Sequence, residues 1–203
     1  MDRLAGIVLA GGQSRRMGQP KAWLPFGPTS LLSHVCQSVQ SVAAPVIVVG
    51  AVGQALPELP PGVERVDDPI PEQGPLVGLI TGMRALGNRA ERVILTSCDA
   101  PFLTPAVIAH LAHLLGDRSL AIPFVDGWYH PLTAVYRLTL LPLLEEHQRS
   151  GRLALRDLVN QVPTVVVSRA DLTEVDPRGW ALRNLNTPAD YEAALMDRDA
   201  GSV

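Results

Sequence analysis

The chain has 203 residues, 18% of them charged and 47% hydrophobic, with a formal net charge of −3. That balance belongs to a folded globular protein that can bury a core without disulfides or structural metals, and it argues against a disordered chain. No basic face marks a nucleic-acid binder. The two cysteines, Cys36 and Cys98, form no CxxC pair, which argues against a disulfide framework or a zinc site. No apolar stretch reaches the roughly 18 residues that span a bilayer. The apolar run at residues 4–10 lacks the flanks of a signal peptide, so no membrane segment is expected and the expected location is cytoplasmic.

Residues 5–9 (A-G-I-V-L) read as a short buried strand, followed by a loop over residues 11–29. Leu31, Leu32, Val35, Val39 and Val42 recur at helical spacing, with Ser30 as N-cap. Residues 45–49 (P-V-I-V-V) form a second strand ended by Gly50, and residues 63–66 a third. A loop over residues 67–74 precedes a helix at 75–86, with Pro75 in its first turn. Residues 93–96 are a fourth strand. A helix at 105–115 follows, capped by Thr104.

Beyond residue 119 the pattern loosens. Strands are expected at 120–124 and 129–136, paired through the Asp126-Gly127 turn. Helices are expected at 139–149 and 153–160, a late strand at 164–167, and a last helix at 188–195 capped by Thr187. One domain is expected over residues 1–196, with a frayed tail at 197–203.

Short, uniformly apolar strands alternating with helices imply βαβ units, hence an α/β fold with a mostly parallel sheet and helices on both faces. Ligands of such sheets bind beyond the C-terminal strand ends. Three loops fall there, at residues 10–21, 67–74 and 97–101, and are expected to converge.

The first of these reads L-A-G-G-Q-S-R-R-M-G-Q-P-K from Leu9 to Lys21. Gly11 and Gly12 allow a sharp turn and close approach of a ligand to the backbone, and exposed N–H groups there form a nest for phosphate oxygens. Arg15, Arg16 and Lys21 bring positive charge, each contact to an anion being worth roughly 1.5–3 kcal/mol. There is no Gly-Lys-Ser/Thr of a Walker A loop and no G-x-G-x-x-G of a dinucleotide site.

The loop resembles that of the molybdenum cofactor guanylyltransferases. These are nucleotidyltransferases with a Rossmann-like fold of the nucleotide-diphospho-sugar transferase type. The pattern L-A-G-G-x-S-x-R-M-G-x-x-K is met at Leu9, Ala10, Gly11, Gly12, Ser14, Arg16, Met17, Gly18 and Lys21. Related cytidylyltransferases carry L-A-A-G, so Gly11 favours guanine. Three further segments fit the family: Asp67-Asp68 followed by G-P-L-V-G at 74–78, S-C-D-A-P-F at 97–102, and N-L-N-T-P at 184–188.

The resemblance implies that Leu9, Ala10, Gly11, Gly12, Ser14, Arg15, Lys21, Asp68 and Asp99 bind the nucleotide. Lys21, Arg16 and Asp99 would be catalytic, Asp99 would hold Mg²⁺, and Asn184 and Asn186 would lie on the pterin side. His130, in Y-H-P, resembles a His-Pro element of the family and is given no role. Several guanylyltransferases have a nucleotide-contacting asparagine after the second strand. The chain reads V-G-A-V-G at 49–53, so that contact is expected from backbone or not at all. The loop from Asp68 to Gly74 is also short.

The implied reaction is transfer of GMP from GTP to molybdopterin with release of pyrophosphate. The acceptor phosphate is already an anion, so positioning and charge stabilisation carry the catalysis. Implied partners are GTP, molybdopterin and other molybdenum cofactor biosynthesis proteins or molybdoenzyme chaperones, with no nucleic acid and no membrane. The competing readings are a related transferase using CTP with molybdopterin or a sugar phosphate, and a non-catalytic GTP-binding protein that handles the cofactor.

Overall fold

The computed structural model describes residues 3–11, 17, 19–69 and 74–201. The strands are β1 (Leu4–Leu9), β2 (Pro25–Phe26), β3 (Thr29–Ser30), β4 (Val46–Ala51), β5 (Val63–Asp68), β6 (Arg92–Ser97), β7 (Leu120–Val125), β8 (Trp128–Tyr129), β9 (Ala134–Arg137) and β10 (Thr164–Val167). The α-helices are α1 (Leu31–Gln40), α2 (Pro75–Leu86), α3 (Pro105–Leu114), α4 (Leu141–Arg149), α5 (Arg169–Leu172) and α6 (Pro188–Gly201). No described helix is long and apolar enough to cross a membrane.

The main sheet runs β10-β7-β9-β6-β1-β4-β5, with β8 against β7. β9 is antiparallel to both its neighbours and β8 to β7, while the other pairs are parallel. This is the expected mixed α/β fold with a mostly parallel sheet flanked by helices. Alternation along β1 shows why a uniformly apolar run was needed. Ala5 and Ile7 enter the core cluster beneath α2, and Val8 enters the one beneath α1 and α3. Both faces are therefore dry.

Local signals set the helix starts. Ser30 accepts from Ser33 N–H (3.2 Å) and Thr104 from Val107 N–H (3.3 Å). Pro75 occupies the first turn of α2. The β7–β8 hairpin turns at Asp126 (φ 53°) and Gly127 (φ 84°), the left-handed pair a two-residue hairpin requires.

Several expectations are corrected. β4 runs through Gly50 to Ala51, and β5 extends to Asp68, so both aspartates leave the loop for the strand end. Residues 129–136 are not one strand. β8 stops at Tyr129, the chain turns with Thr133 N–H on the His130 carbonyl (3.0 Å), and β9 restarts at Ala134 between β7 and β6. Pro131 has no N–H for a ladder, so the strand breaks there. The segment at 153–160 is a 3-10 helix, Leu155–Asn160. The tail expected to fray from residue 197 is helical to Gly201. Asp197 accepts from Arg183 at 2.7 Å, and the Arg198 guanidinium lies 5.2 Å from the Phe26 ring.

α2 packs closely on β1 because it carries glycine where the strand's side chains rise. A Cβ on Gly82 would meet Ile7 Cδ1 at 2.5 Å and Cγ1 at 2.8 Å. Gly82→Ala gains about 1 kcal/mol of helix propensity but overpacks, which costs roughly 1–3 kcal/mol. We expect a lower thermal midpoint in calorimetry; a higher one would contradict this packing.

α1 is tied to the loop after β6 by His34, whose Nε2 donates to the Pro101 carbonyl (2.9 Å). Burial, outweighing that bond and helped by Arg198, holds the His34 pKa below its ordinary value. The neutral ring is thus favoured by folding. This contribution is complete above about pH 6.5 and is lost as pH falls through the folded pKa. Unfolding free energy should decline below that pH, and less steeply in His34→Gln; an unchanged profile would contradict the assignment.

Candidate functional site

From β1 the chain moves one way along the sheet to β4 and β5, then returns to β6 on the other side of β1. That reversal opens a crevice at the C-terminal strand ends, where parallel sheets bind ligands. A cleft of about 200 Å³ lies there, with Leu9, Ala10, Gly11, Lys21, Gln54, Ser97 and Asp99 among its lining residues.

Pairing of β1 with β6 sets Leu9 opposite Ser97, and Cys98 N–H donates to the Leu9 carbonyl at 2.9 Å. This carries Asp99 to the rim. The Asp99 carbonyl accepts from Leu185 N–H (2.9 Å), so the loop is also held by the segment before α6. Lys21 opens a 3-10 turn, Lys21–Trp23. Its neighbours Ala22 and Leu24 are buried in two different apolar clusters, which fixes the turn against the fold.

Lys21 Nζ and Asp99 Oδ2 stand 2.7 Å apart, each side chain only 16% exposed. The second Asp99 oxygen accepts from the Ser97 hydroxyl. An ion pair this enclosed is screened little by water, and removing one partner strands the other charge.

Cys98 also lines the cleft. Burial, reinforced by the Asp99 carboxylate, pushes its thiol up to about 12. It stays protonated and is no nucleophile.

The structure thus brings Leu9, Ala10, Gly11, Lys21 and Asp99 together. Among the described residues, a Cβ on Gly11 would meet nothing within 4 Å. Gly12, Ser14, Arg15 and Arg16 lie outside the described residues. Asp68 ends β5 beside Ala51 of β4, at the same edge of the sheet but not in the cleft lining.

Asn184 and Asn186 are exposed on either side of buried Leu185, the alternation expected of an extended segment. Asp190 holds this segment by accepting from Asn186 N–H (2.9 Å) and Thr187 N–H (2.8 Å). His130 is half-buried at the turn into β9, its pKa lowered chiefly by burial.

Sequence reasoning missed Gln54. The strand-end segment at 49–53 carries no amide side chain, but the next residue does, and it reaches the cleft. The turn glycine Gly53 just before it was the available signal.

Among the described residues no group of three or more His, Cys, Asp and Glu could hold a metal by itself. Magnesium is commonly held by one or two carboxylates, with phosphate oxygens and water completing its shell. Asp99, the one carboxylate among the described lining residues, stands beside the Ser97 hydroxyl and fits that donor set.

The family model described as MobA-like NTP transferase domain matches residues 6–170. A probable molybdenum cofactor guanylyltransferase of Carboxydothermus hydrogenoformans is 35% identical over 96% of both chains. Among solved structures, molybdopterin-guanine dinucleotide biosynthesis protein A of Archaeoglobus fulgidus superimposes with a TM-score of 0.78 at 21% identity, covering 97% of this chain and 99% of that one. A Mycobacterium tuberculosis protein solved in complex with manganese gives 0.64 at 17% identity, with coverage of 96% and 98%. A strand-end cleft with a lysine–aspartate pair, and these likenesses along nearly the whole chain, lead to one conclusion: the chain belongs to the MobA-like NTP transferase family and is a nucleotidyltransferase.

Proposed function

We propose that the chain, as a single nucleotidyltransferase domain, transfers GMP from GTP to molybdopterin and releases pyrophosphate, forming molybdopterin guanine dinucleotide. The observation that carries the proposal is the Lys21–Asp99 pair beside Gly11 in the switch-point cleft. The relative from Carboxydothermus hydrogenoformans, named for this activity, supports the choice of substrates.

The acceptor phosphate attacks the α-phosphorus of GTP and the bond to the β-phosphate oxygen breaks. Two anions must meet, so the barrier lies in bringing them together and in stabilising the spreading charge. Lys21 neutralises phosphate oxygens, and Gly11 with the residues after it offers backbone N–H groups. Arg15 or Arg16 holds the departing pyrophosphate. Leu9, Ala10, Gly12, Ser14 and Asp68 complete the nucleotide side, and Asn184 and Asn186 face the pterin.

Asp99, with the Ser97 hydroxyl beside it, would hold Mg²⁺, which when bound neutralises phosphate charge. No strong general base is needed. Partners within molybdenum cofactor biosynthesis and a cytoplasmic location belong to the same proposal.

Pyrophosphate release should be measured with molybdopterin and each of GTP, CTP, ATP and UTP. GTP is expected to be used selectively; a preference for CTP would overturn the base assignment. Lys21→Ala, verified as folded by circular dichroism, should lower kcat/KM by roughly 10²–10³, the scale of one preorganised charge contact. Asp99→Asn should lose stimulation by magnesium, and a variant stimulated as fully as wild type would remove Asp99 from the metal.

A further inference from the structure

We propose that Gln54 is a positioning residue for the nucleotide, setting the Ala10–Gly11 peptide plane so that the Gly11 N–H faces the phosphates. This rests on the nucleotidyltransferase reading. Gln54 follows β4 by a tight turn in which its N–H donates to the Ala51 carbonyl at 3.0 Å and Gly53 takes φ 72°. The side chain folds back over the strand end, into space left by Gly50, whose Cβ would stand 3.2 Å from Gln54 Oε1.

Both ends of its amide are then used. Oε1 accepts from Ala51 N–H (2.9 Å), and Nε2 donates to the Ala10 carbonyl (2.9 Å). The orientation follows from the partners, since a backbone N–H only donates and a carbonyl only accepts.

Ala10 is thereby anchored twice to the β4 side, because its own N–H donates to the Val49 carbonyl at 2.9 Å. A trans peptide is planar, with C=O and N–H on opposite edges. Turning the Ala10 carbonyl to Gln54 therefore turns the Gly11 N–H the other way. Gly11 lines the same cleft as Lys21, so a correctly aimed N–H there meets the anion that the lysine attracts. The segment carrying Gln54 is tied in turn to the Lys21 side of the cleft, where the Trp23 indole N–H donates to the Ala55 carbonyl at 3.1 Å.

Gln54 acts through the backbone that binds phosphate, so its loss should weaken every ligand that carries the polyphosphate and leave the choice of base alone. Gln54→Met keeps the length of the side chain and removes both hydrogen bonds. Gln54→Glu keeps the acceptor for Ala51 and sets a carboxylate against the Ala10 carbonyl, so it serves if the first variant does not fold.

Binding of Mg-GTP, Mg-CTP and Mg-pyrophosphate is measured by calorimetry on the full chain. Both variants are expected to bind GTP and pyrophosphate more weakly by a common factor of roughly ten or more, with the GTP-over-CTP ratio unchanged. Wild-type affinities in a variant of lowered thermal midpoint would make Gln54 a structural staple only and overturn the proposal. Weakened GTP with unchanged pyrophosphate would make it a reader of the base and overturn it equally. A wild-type protein that binds none of the three would instead overturn the nucleotidyltransferase reading beneath it.

Discussion

Lys21 and Asp99 are 78 residues apart in sequence and 2.7 Å apart in space. Two opposite charges on largely buried side chains hold each other strongly, yet both are types that a metal-bound triphosphate can re-partner. The fold is arranged around their meeting. Pairing of β1 with β6 puts one loop opposite the other, and the apolar anchors Ala22 and Leu24 prevent the lysine turn from drifting. The backbone of Leu9 and that of Leu185 hold the Asp99 loop from two sides. Catalysis by positioning demands this rigidity, since misplacing a charge forfeits most of its effect.

The C-terminal segment matters more to this arrangement than its place in the chain implies. The family model matches residues 6–170, but residues beyond it brace the loops that form the cleft. Leu185 bonds Asp99, and Leu185 and Ala194 pack with Leu24, Phe26 and Phe102 in a small cluster behind the lysine turn. The Arg183 guanidinium lies 5.0 Å from the Phe102 ring and pairs with Asp197 on α6. Helix α6 therefore reaches Gly201 because its last turns have tertiary partners, which no local propensity reports.

What could be read from residues alone was what local physics decides. Ser30, Thr104 and Pro75 marked helix starts, and runs such as P-V-I-V-V marked strands buried on both faces. The meeting of Leu9, Gly11, Lys21 and Asp99 was likewise visible, because their loops follow parallel strands and such loops converge beyond the C-terminal strand ends. The insertion of β9 between β7 and β6 was not visible, since alternation along a strand says nothing of its partner. Gln54 escaped notice for a related reason. An isolated glutamine carries no pattern, and its role appears only when the turn at Gly53 folds it onto Ala10.

The most direct measurement is a crystal structure of the protein with Mg²⁺ and a non-reacting GTP analogue. Lys21 is expected to move onto phosphate oxygens, with the metal held by Asp99 and the phosphates against the backbone at Gly11. A triphosphate bound elsewhere, with the Lys21–Asp99 pair intact, would contradict it.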